Sequence, residues 1–328
     1  MITQELAQEY SRWSTSANQI IAITEGMPNK GAYEARAILE RWHLAMLNSI
    51  SKNVAIAKMR EEFLEKKLFT PENVDGAINK IMIAKPYELM PRDKLVIAGG
   101  TIKLGRFTKN YSRDRINLLI NIARKNGAKD PECTVAIAAL RYASLVPGGQ
   151  QWSVPASAYD ILTREYGVDV EGFASPFNSQ LIAREGCKFC SLFADTDAIF
   201  GSVGNFFDFD FDGHSAVVNP PYIISILDAV TKKCIDTCAK AQKPTRFFIV
   251  TPTWVDANFY GRLSACEFLE ARLVHNKGET YFEDDGNQIT ALFNTSIFIL
   301  SKGNSTRDFA PLEKSLAPPE KKSWHDKK

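Results

Sequence analysis

The front of the chain carries apolar side chains at helical spacing. Four stretches place apolar residues three and four positions apart, which predicts helices that each bury one face: residues 35–46, 56–68, 113–126 and 133–145. Thr70-Pro71-Glu72-Asn73 has the composition of a helix start, with Thr as N-cap, Pro at the first position and an acid in the first turn. Gly127 is placed to end the third of these helices. The pattern predicts an all-α domain over residues 1–146.

After Gln151 the pattern changes to short strand-like runs that alternate with helices. The runs predict strands at residues 168–173, 216–218 and 246–251, and a late strand or hairpin at 290–301. Helices are predicted at residues 156–166 and 223–241. Strand–helix–strand alternation is typical of a parallel sheet covered on both faces. We therefore predict an α/β domain with a doubly wound sheet over residues 147–303, followed by a loose tail over residues 304–328.

Composition narrows the class of protein. The 328 residues are 45% hydrophobic and 24% charged, which suits two compact domains. No apolar run approaches the ~18 residues of a transmembrane helix, so no membrane association is expected. The N-terminus lacks the basic start and apolar stretch of a secretory signal, and the six cysteines are expected to be reduced thiols. These features predict an intracellular protein of the nucleus or cytoplasm, with a viral setting also open.

The net charge of +2 hides an asymmetry along the chain. Residues 1–150 hold 22 Lys and Arg against 15 Asp and Glu, a balance of +7, whereas the remaining residues have a balance of −5. A basic front half indicates a polyanionic partner, although solvated helix faces give the same excess. Five cations interleaved with Phe107 and Tyr111 are dense enough to contact RNA phosphates, or else belong to an ordinary exposed loop. These cations are Lys103, Arg106, Lys109, Arg113 and Arg115.

The most informative motif is Asn219-Pro220-Pro221-Tyr222, directly after the predicted strand at 216–218. Enzymes that methylate a planar, conjugated amino group share this tetrapeptide at the carboxyl end of a strand. The lone pair of such a nitrogen, as at N6 of adenine, is delocalised into the ring, so the nitrogen is a poor nucleophile. The Asn219 side-chain carbonyl and the Pro220 main-chain carbonyl can each accept one amino hydrogen, which stabilises the positive charge that develops on the nitrogen. Tyr222 would stack on the base.

The segments around the tetrapeptide favour an adenine methyltransferase over a plain turn at the end of a strand, for which Asn-Pro is a common signal. Gln151-Trp152-Ser153-Val154-Pro155 is similar to a segment that holds the methionine moiety of S-adenosylmethionine in adenine-amino methyltransferases, with Val154 where Thr is usual. Phe173-Ala174-Ser175-Pro176-Phe177-Asn178 forms the first turn after a strand, where ligands of a doubly wound sheet bind. Asn205 and Phe206 stand where related enzymes bond and cover the adenine of the cofactor.

The candidate cofactor-binding residues therefore come from four segments. They are Gln151, Trp152, Val154, Pro155, Ser175, Pro176, Phe177, Asn178, Asp197, Asn205 and Phe206. Asp195 and Asp197 would bond a ribose hydroxyl of the cofactor or cap the following turn. Cys187 and Cys190 have a faint zinc-like spacing, but buried free thiols are favoured and no metal is expected.

Together these residues resemble the phosphorylated-CTD-interacting-factor family of cap-specific adenosine N6-methyltransferases, from about Leu140 to Leu300. Further segments that look alike are Asp195-Thr196-Asp197, Phe200-Gly201-Ser202, Phe248-Ile249-Val250-Thr251-Pro252-Thr253-Trp254 and Phe293-Asn294-Thr295-Ser296-Ile297-Phe298. The resemblance implies an α-helical domain followed by a Rossmann-like, S-adenosylmethionine-dependent methyltransferase domain. It also implies methylation of N6 on the adenosine next to the 7-methylguanosine cap of an mRNA.

The sequence departs from better-known family members at three points. Tyr222 replaces a Phe, which stacking tolerates, and Thr253 stands where an acid precedes Trp254. We expect no WW module ahead of the helices, so binding to RNA polymerase tails is not supported. Trp254 would stack on the cap guanine, whose methylated ring carries positive charge, or else belong to the core.

The sequence therefore predicts an enzyme that methylates N6 of the cap-adjacent adenosine in 5′-capped RNA. Asn219 and Pro220 would align the amino group, Pro221 would stiffen the turn, and Tyr222 would stack on the base. One alternative is a DNA adenine methyltransferase, which performs the same chemistry. Others are a catalytically silent RNA-binding scaffold and a glutamine-directed protein methyltransferase, the last disfavoured by the basic helical domain.

Overall fold

The chain folds into two compact units. The computed structural model describes residues 2–47, 51–145, 151–284, 286–303 and 307–318. Contacts divide the chain into the units Met1–Gln150 and Gln151–Lys328. No helix within these described ranges is both long enough and apolar enough to cross a bilayer.

Helices dominate the first unit. They are α1 (Gln4–Thr24), α2 (Asn29–Leu47), α3 (Lys52–Glu65), α4 (Val74–Met82), α5 (Arg113–Lys125) and α6 (Pro131–Ala143). The four predicted helices are confirmed as α2, α3, α5 and α6, and their buried faces carry side chains such as Ile38 and Phe63. The predicted N-cap at Thr70 is wrong. Its main-chain oxygen instead accepts hydrogen bonds from the amides of Asn73 and Val74, so the Thr-Pro pair forms a turn ahead of α4.

A three-stranded antiparallel sheet corrects the prediction of an all-α front domain. Its strands are β1 (Val96–Ala98), β2 (Thr101–Leu104) and β3 (Phe107–Asn110), paired in the order β1-β2-β3. Ile102, Leu104 and Phe107 are buried on its inner face. Gly99 and Gly100 have positive φ values of 59° and 92°, which lets the chain reverse tightly between β1 and β2. The strands are too short for their alternation to stand out against the neighbouring helices.

The second unit is a mixed α/β structure. Its helices are α7 (Ala156–Tyr166), α8 (Ala194–Asp197), α9 (Ile224–Lys240), α10 (Asn258–Ser264) and α11 (Ala310–Leu316). Its strands are β4 (Val170–Ala174), β5 (Lys188–Ser191), β6 (Ser215–Val218), β7 (Thr245–Pro252), β8 (Leu269–His275), β9 (Tyr281–Asp284), β10 (Asn287–Thr290) and β11 (Thr295–Lys302). The predicted strands near 170, 216 and 246 and the helices α7 and α9 are confirmed.

Six strands form one sheet in the order β5-β4-β6-β7-β11-β8. β5, β4, β6 and β7 are mutually parallel, as predicted, whereas β11 runs antiparallel to both β7 and β8. β7 is buried along all eight residues, as expected for an inner strand covered on both faces. The predicted late strand corresponds to β11, and β9 and β10 form a separate antiparallel hairpin.

The predicted loose tail is wrong over its described part. Helix α11 and the residue before it bury Phe309, Leu312 and Leu316 in the same core cluster as Tyr166 of α7. The Tyr166 hydroxyl donates to the Asp308 carbonyl oxygen at 2.7 Å. Three apolar side chains spaced for one helix face therefore hold this segment, although its Pro, Lys and Ser content suggested a linker.

Candidate active site

The candidate residues follow the carboxyl ends of parallel strands. β4 ends at Ala174, β6 at Val218 and β7 at Pro252. Because these strands are parallel, the segments that begin at Ser175, Asn219 and Thr253 leave the sheet at one edge. In open α/β sheets this is the edge at which ligands bind.

The carboxamide of Asn219 is fixed at both ends. Its Nδ2 donates to the Trp152 carbonyl oxygen at 2.9 Å, and its Oδ1 accepts from the Tyr222 hydroxyl at 3.3 Å. The first contact sets the amide orientation, since only the nitrogen can donate to a carbonyl. Across the described part of the chain, the Pro220 carbonyl oxygen accepts no hydrogen bond. The tetrapeptide therefore presents two oxygen acceptors with capacity for a further donor.

Four aromatic rings form one cluster, which includes Trp152 and Tyr222, the two residues that are hydrogen-bonded to Asn219. Trp152 stacks on Phe282 with centroids 5.8 Å apart and lies nearly parallel to Phe293 at 6.5 Å. Phe293 meets Tyr222 edge to face at 5.6 Å and 86°. Burial raises the pKa of the Tyr222 phenol, so its hydroxyl stays protonated and neutral. Sequence reasoning assigned no site role to Phe282 and Phe293, although Phe293 begins one of the segments that carry the resemblance.

The first turn after β4 is joined to the segment before α7 by side-chain hydrogen bonds. The Ser175 hydroxyl donates to Gln151 Oε1 at 2.6 Å, and Asn178 Nδ2 donates to the Gln151 carbonyl oxygen at 3.2 Å. Asn178 Oδ1 also accepts from the Ser175 amide at 2.7 Å. The structure thus brings together these three residues, which the sequence placed in two separate cofactor segments.

The side chain of Glu171 on β4 binds residues that follow the same turn. Its carboxyl group on β4 is 3% exposed and accepts from the Ser179 hydroxyl at 2.8 Å and the Gln180 amide at 2.9 Å. Burial raises the pKa of Glu171. The hydrogen bonds that its carboxylate accepts, including one from Tyr159, offset only part of this rise. Sequence reasoning missed Glu171. Its signal is a carboxyl residue inside an otherwise apolar strand.

The hairpin of β9 and β10 is attached to this region through Ser153. The amides and carbonyls of Ser153 and Glu283 pair as an isolated bridge, with bonds of 2.8 and 2.9 Å. Gln180 Nε2 donates to the Ser153 hydroxyl at 3.0 Å and to Glu283 Oε2 at 3.3 Å. The hairpin therefore carries Phe282 to Trp152.

The candidate cofactor residues differ in their access to a ligand. The side chains of Gln151, Trp152, Asn178 and Asn205 are partly exposed, whereas the others are buried. The buried ones are Val154, Pro155, Ser175, Pro176, Phe177, Asp197 and Phe206. Buried residues can shape the turns but offer little side-chain surface to a bound molecule.

Phe206 is a correction to the expected site. Its ring is 2% exposed and packs on Phe173 at 4.7 Å between centroids. It lies so close to Gly172 that a Cβ there would come within 2.9 Å of the ring. A ring enclosed in this way is a core residue and does not cover a bound adenine. Asn205 turns its Oδ1 to the Phe207 amide at 2.9 Å, which leaves its Nδ2 as the group able to donate to a ligand.

Trp254 is 39% exposed and packs edge to face on Phe259 at 6.2 Å. The indole of Trp254 therefore keeps an exposed face, and its alternative place in a core that closes the domain interface stays a prediction. It follows β7 at the same sheet edge as Asn219.

The five basic candidates of the first unit do not share one face. Lys103 pairs with Thr108, and Lys109 pairs with Ile102, so the two lysines point to opposite faces of the sheet. Arg106 lies over the Tyr87 ring at 4.0 Å, and Lys109 lies 5.7 Å from the Tyr111 ring. Lys103, Arg106 and Arg113 are exposed, whereas Arg115 is half-buried.

The cysteines are free thiols, and burial raises the pKa of Cys190 and of Cys238 to about 12. Among the described residues, no group of three or more His, Cys, Asp or Glu side chains is arranged to hold a metal ion.

Comparison with known proteins points to one family. The family model described as "Phosphorylated CTD interacting factor 1 WW domain" matches residues 121–285, half of the chain. Two similar proteins, from Mus musculus and Homo sapiens, are each named mRNA (2'-O-methyladenosine-N(6)-)-methyltransferase. They are 28% and 27% identical to the chain over 178 residues, which is 51% of this chain. The chain spans only 24% and 25% of the length of these two relatives.

Proposed function

Since the chain belongs to the phosphorylated CTD interacting factor 1 family, we propose that it transfers a methyl group from S-adenosylmethionine to N6 of the cap-adjacent adenosine of mRNA. The names of its two relatives support this reaction. The parallel order β5-β4-β6-β7, with α8 between β5 and β6 and α9 between β6 and β7, supports a Rossmann-like methyltransferase fold for the second unit.

One contact carries the proposal, the hydrogen bond from Asn219 Nδ2 to the Trp152 carbonyl oxygen. Trp152 belongs to the segment that resembles a cofactor-binding segment, and Asn219 begins the tetrapeptide that would hold the substrate amino group. A methyl transfer requires donor and acceptor in line and within contact distance. This bond joins the two segments that would supply them.

The residues of the site suit an amino group that becomes positively charged. Asn219 Oδ1 and the Pro220 carbonyl oxygen each take one amino hydrogen, which turns the nitrogen lone pair toward the donor. Both oxygens carry partial negative charge, so their attraction to the nitrogen grows as the methyl group arrives. Tyr222 offers its ring to the base, and the amino proton leaves to water after transfer.

The residues present also suit S-adenosylmethionine, which supplies an electrophilic methyl group on a sulfonium when bound. Gln151 and Asn178 are partly exposed carboxamides at the carboxyl end of β4. Because Gln151 Oε1 accepts from Ser175, its Nε2 is the group that would donate to the carboxylate of the methionine moiety. The Nδ2 of Asn205 would donate to the adenine of the cofactor.

The RNA would contact both units. Of the basic candidates in the first unit, the exposed Lys103, Arg106 and Arg113 are proposed to contact phosphates. In the second unit, Trp254 is proposed to stack on the cap guanine, since an electron-rich ring attracts a cationic base. The exposed face of the Trp254 indole supports this role.

The test is mass spectrometry of nucleosides after the protein is incubated with S-adenosylmethionine and a defined transcript. The transcripts are capped RNA beginning with A, with and without a 2′-O-methyl group, capped RNA beginning with G, uncapped RNA and single-stranded DNA. We expect N6-methylation of the capped A transcripts alone. Methylation of the DNA would instead identify a DNA adenine methyltransferase.

Asn219→Ala tests the role of the Asn219 side-chain carbonyl in the reaction. We expect it to lose activity by at least 100-fold, because one of the two acceptors for the developing charge is removed. It should still bind S-adenosylmethionine, as measured by calorimetry. Near wild-type activity in this variant would contradict the assigned role, and failure of the wild-type protein to bind the cofactor would indicate a silent scaffold.

A further inference from the structure

Tyr222 has a hydroxyl group that base stacking does not use. Its oxygen lies 3.3 Å from Asn219 Oδ1 and donates to it. Phe293 packs edge to face on the Tyr222 ring, which limits rotation of the ring and therefore fixes where the hydroxyl points.

From this geometry we infer that the Tyr222 hydroxyl is a positioning group that holds the Asn219 carboxamide in the orientation that accepts the substrate amino group. The inference rests on the proposed methyl transfer and adds a second role to Tyr222, distinct from the stacking of its ring. With Nδ2 bound to the Trp152 carbonyl and Oδ1 bound to Tyr222, the amide can turn over only by breaking both bonds.

The carboxamide oxygen has two lone pairs, so one donor leaves one site for the substrate. With the Tyr222 hydroxyl on one lone pair, Asn219 Oδ1 accepts one hydrogen of the substrate amino group. The second amino hydrogen is then bound by the Pro220 carbonyl oxygen. The hydroxyl therefore fixes the direction from which the amino group approaches. The donation from Nδ2 to Trp152 polarises the amide and strengthens Oδ1 as an acceptor.

Tyr222→Phe separates the hydroxyl from the ring. The ring and its contact with Phe293 remain, so RNA binding through stacking should be unchanged. Loss of one neutral hydrogen bond that orients the acceptor is expected to lower kcat about 3- to 10-fold, with KM for the capped RNA within twofold of wild type.

Tyr260→Phe is the matched control. The Tyr260 hydroxyl is also in the second unit, is buried, and bonds Ser296 Oγ at 3.2 Å. That serine also contacts the Thr253 hydroxyl at 2.8 Å, so it keeps a partner in the variant. We expect kcat and KM of Tyr260→Phe to match the wild type.

The pH profile distinguishes a hydrogen-bond donor from a base. Because burial raises the pKa of Tyr222, the ratio of wild-type to Tyr222→Phe kcat should stay constant between pH 6 and 9. A ratio that rises with pH would show that the phenolate acts, and would overturn the positioning role. A kcat of Tyr222→Phe within twofold of wild type would also overturn it, as would an equal loss of kcat in Tyr260→Phe.

Failure of this inference is distinguishable from failure of the proposed function. If the wild-type protein methylates capped RNA and Tyr222→Phe is unaffected, only the positioning role is overturned. If the wild-type protein methylates none of the adenosine substrates, the proposed function itself is contradicted.

Discussion

Two buried carboxyl groups, Glu171 and Glu40, differ in the hydrogen bonds that they accept. Glu171 on β4 accepts several hydrogen bonds and fixes the turn that would contact the cofactor. Glu40 on α2 is 4% exposed, and its Oε1 has no hydrogen-bond partner among the described residues. A buried acceptor without a donor costs stability, and an ionised one costs more. The first carboxyl group thus organises the site, whereas the second lowers stability as it ionises.

Glu40 makes the stability of the first unit depend on pH. Burial raises the pKa of Glu40 from 4.5 to about 8 in the folded state, and the nearby Arg36 lowers it in part. Because the folded state holds the proton more tightly, the free energy of unfolding falls as pH rises from about 4.5 to about 8. Glu40→Gln cannot ionise and should be more stable than wild type by about 1–3 kcal/mol at pH 8, with little difference at pH 4.5.

Urea denaturation of wild type and Glu40→Gln at several pH values between 4.5 and 8 measures this effect. Glu65→Gln, which removes an exposed carboxyl group from α3, is the control and should follow the wild type. Parallel pH dependence of Glu40→Gln and wild type would contradict the assignment.

At the scale of elements, most of the longer segments were predictable, with α1 and β8 as exceptions, and most of the short ones were not, with β6 as an exception. Helices such as α5 and α7 have enough turns for the apolar period to stand out. β5 and the strands of the first unit have three or four residues each, too few to separate alternation from chance. The antiparallel direction of β11 was also not predictable, because strand direction depends on how the chain returns to the sheet and not on side-chain pattern.

The turn between β1 and β2 depends on Gly100. Its φ is +92°, and a Cβ at this position would lie 2.3 Å from the Tyr111 carbonyl oxygen. The adjacent Gly99 has a φ of +59° with no atom within 4 Å of a Cβ. Both substitutions to Ala strain the backbone, but only Gly100→Ala adds a clash with main chain.

We therefore expect Gly100→Ala to destabilise the protein by at least about 1 kcal/mol more than Gly99→Ala. Thermal or urea unfolding of the two variants beside the wild type measures the difference. Equal losses would show that the strands shift to accommodate the side chain.

At the scale of the whole molecule, the sequence was sufficient to predict the order of the functional segments but not their contacts. Gln151, Ser175 and Asn219 were identified by motif. The bond of Ser175 to Gln151, the bond of Asn219 to Trp152, and the contributions of Phe282 and Phe293 arise from strand order and from a hairpin far along the chain. A periodic pattern reports which face of an element is buried, but not which distant side chain lies against it.

The charge asymmetry predicts salt-dependent RNA binding. Exchange of Lys103, Arg106 and Arg113 together for Ala should weaken binding to RNA of any sequence and reduce the slope of log Kd against log salt by about 2–3, since each phosphate contact releases about one counterion. Fluorescence anisotropy with a labelled capped RNA between 50 and 300 mM salt measures the slope. Exchange of Lys232, Lys243 and Lys277 of the second unit is the control, and an equal change there would indicate a general effect of net charge.

The place of β11 in the sheet has a consequence for synthesis of the chain. β11 lies between β7 and β8, and the ring of Phe293, just before β11, packs on Tyr222 and lies beside Trp152. A nascent chain on the ribosome has released Trp152 and Tyr222 long before these residues exist. Until then β7 has an unpaired edge and β8 has no partner in the sheet. The aromatic cluster that joins Trp152, Tyr222 and Phe293 is therefore complete only once the chain has been translated past Phe293, and a chain that stops before it would have the tetrapeptide and the cofactor segments without that ring.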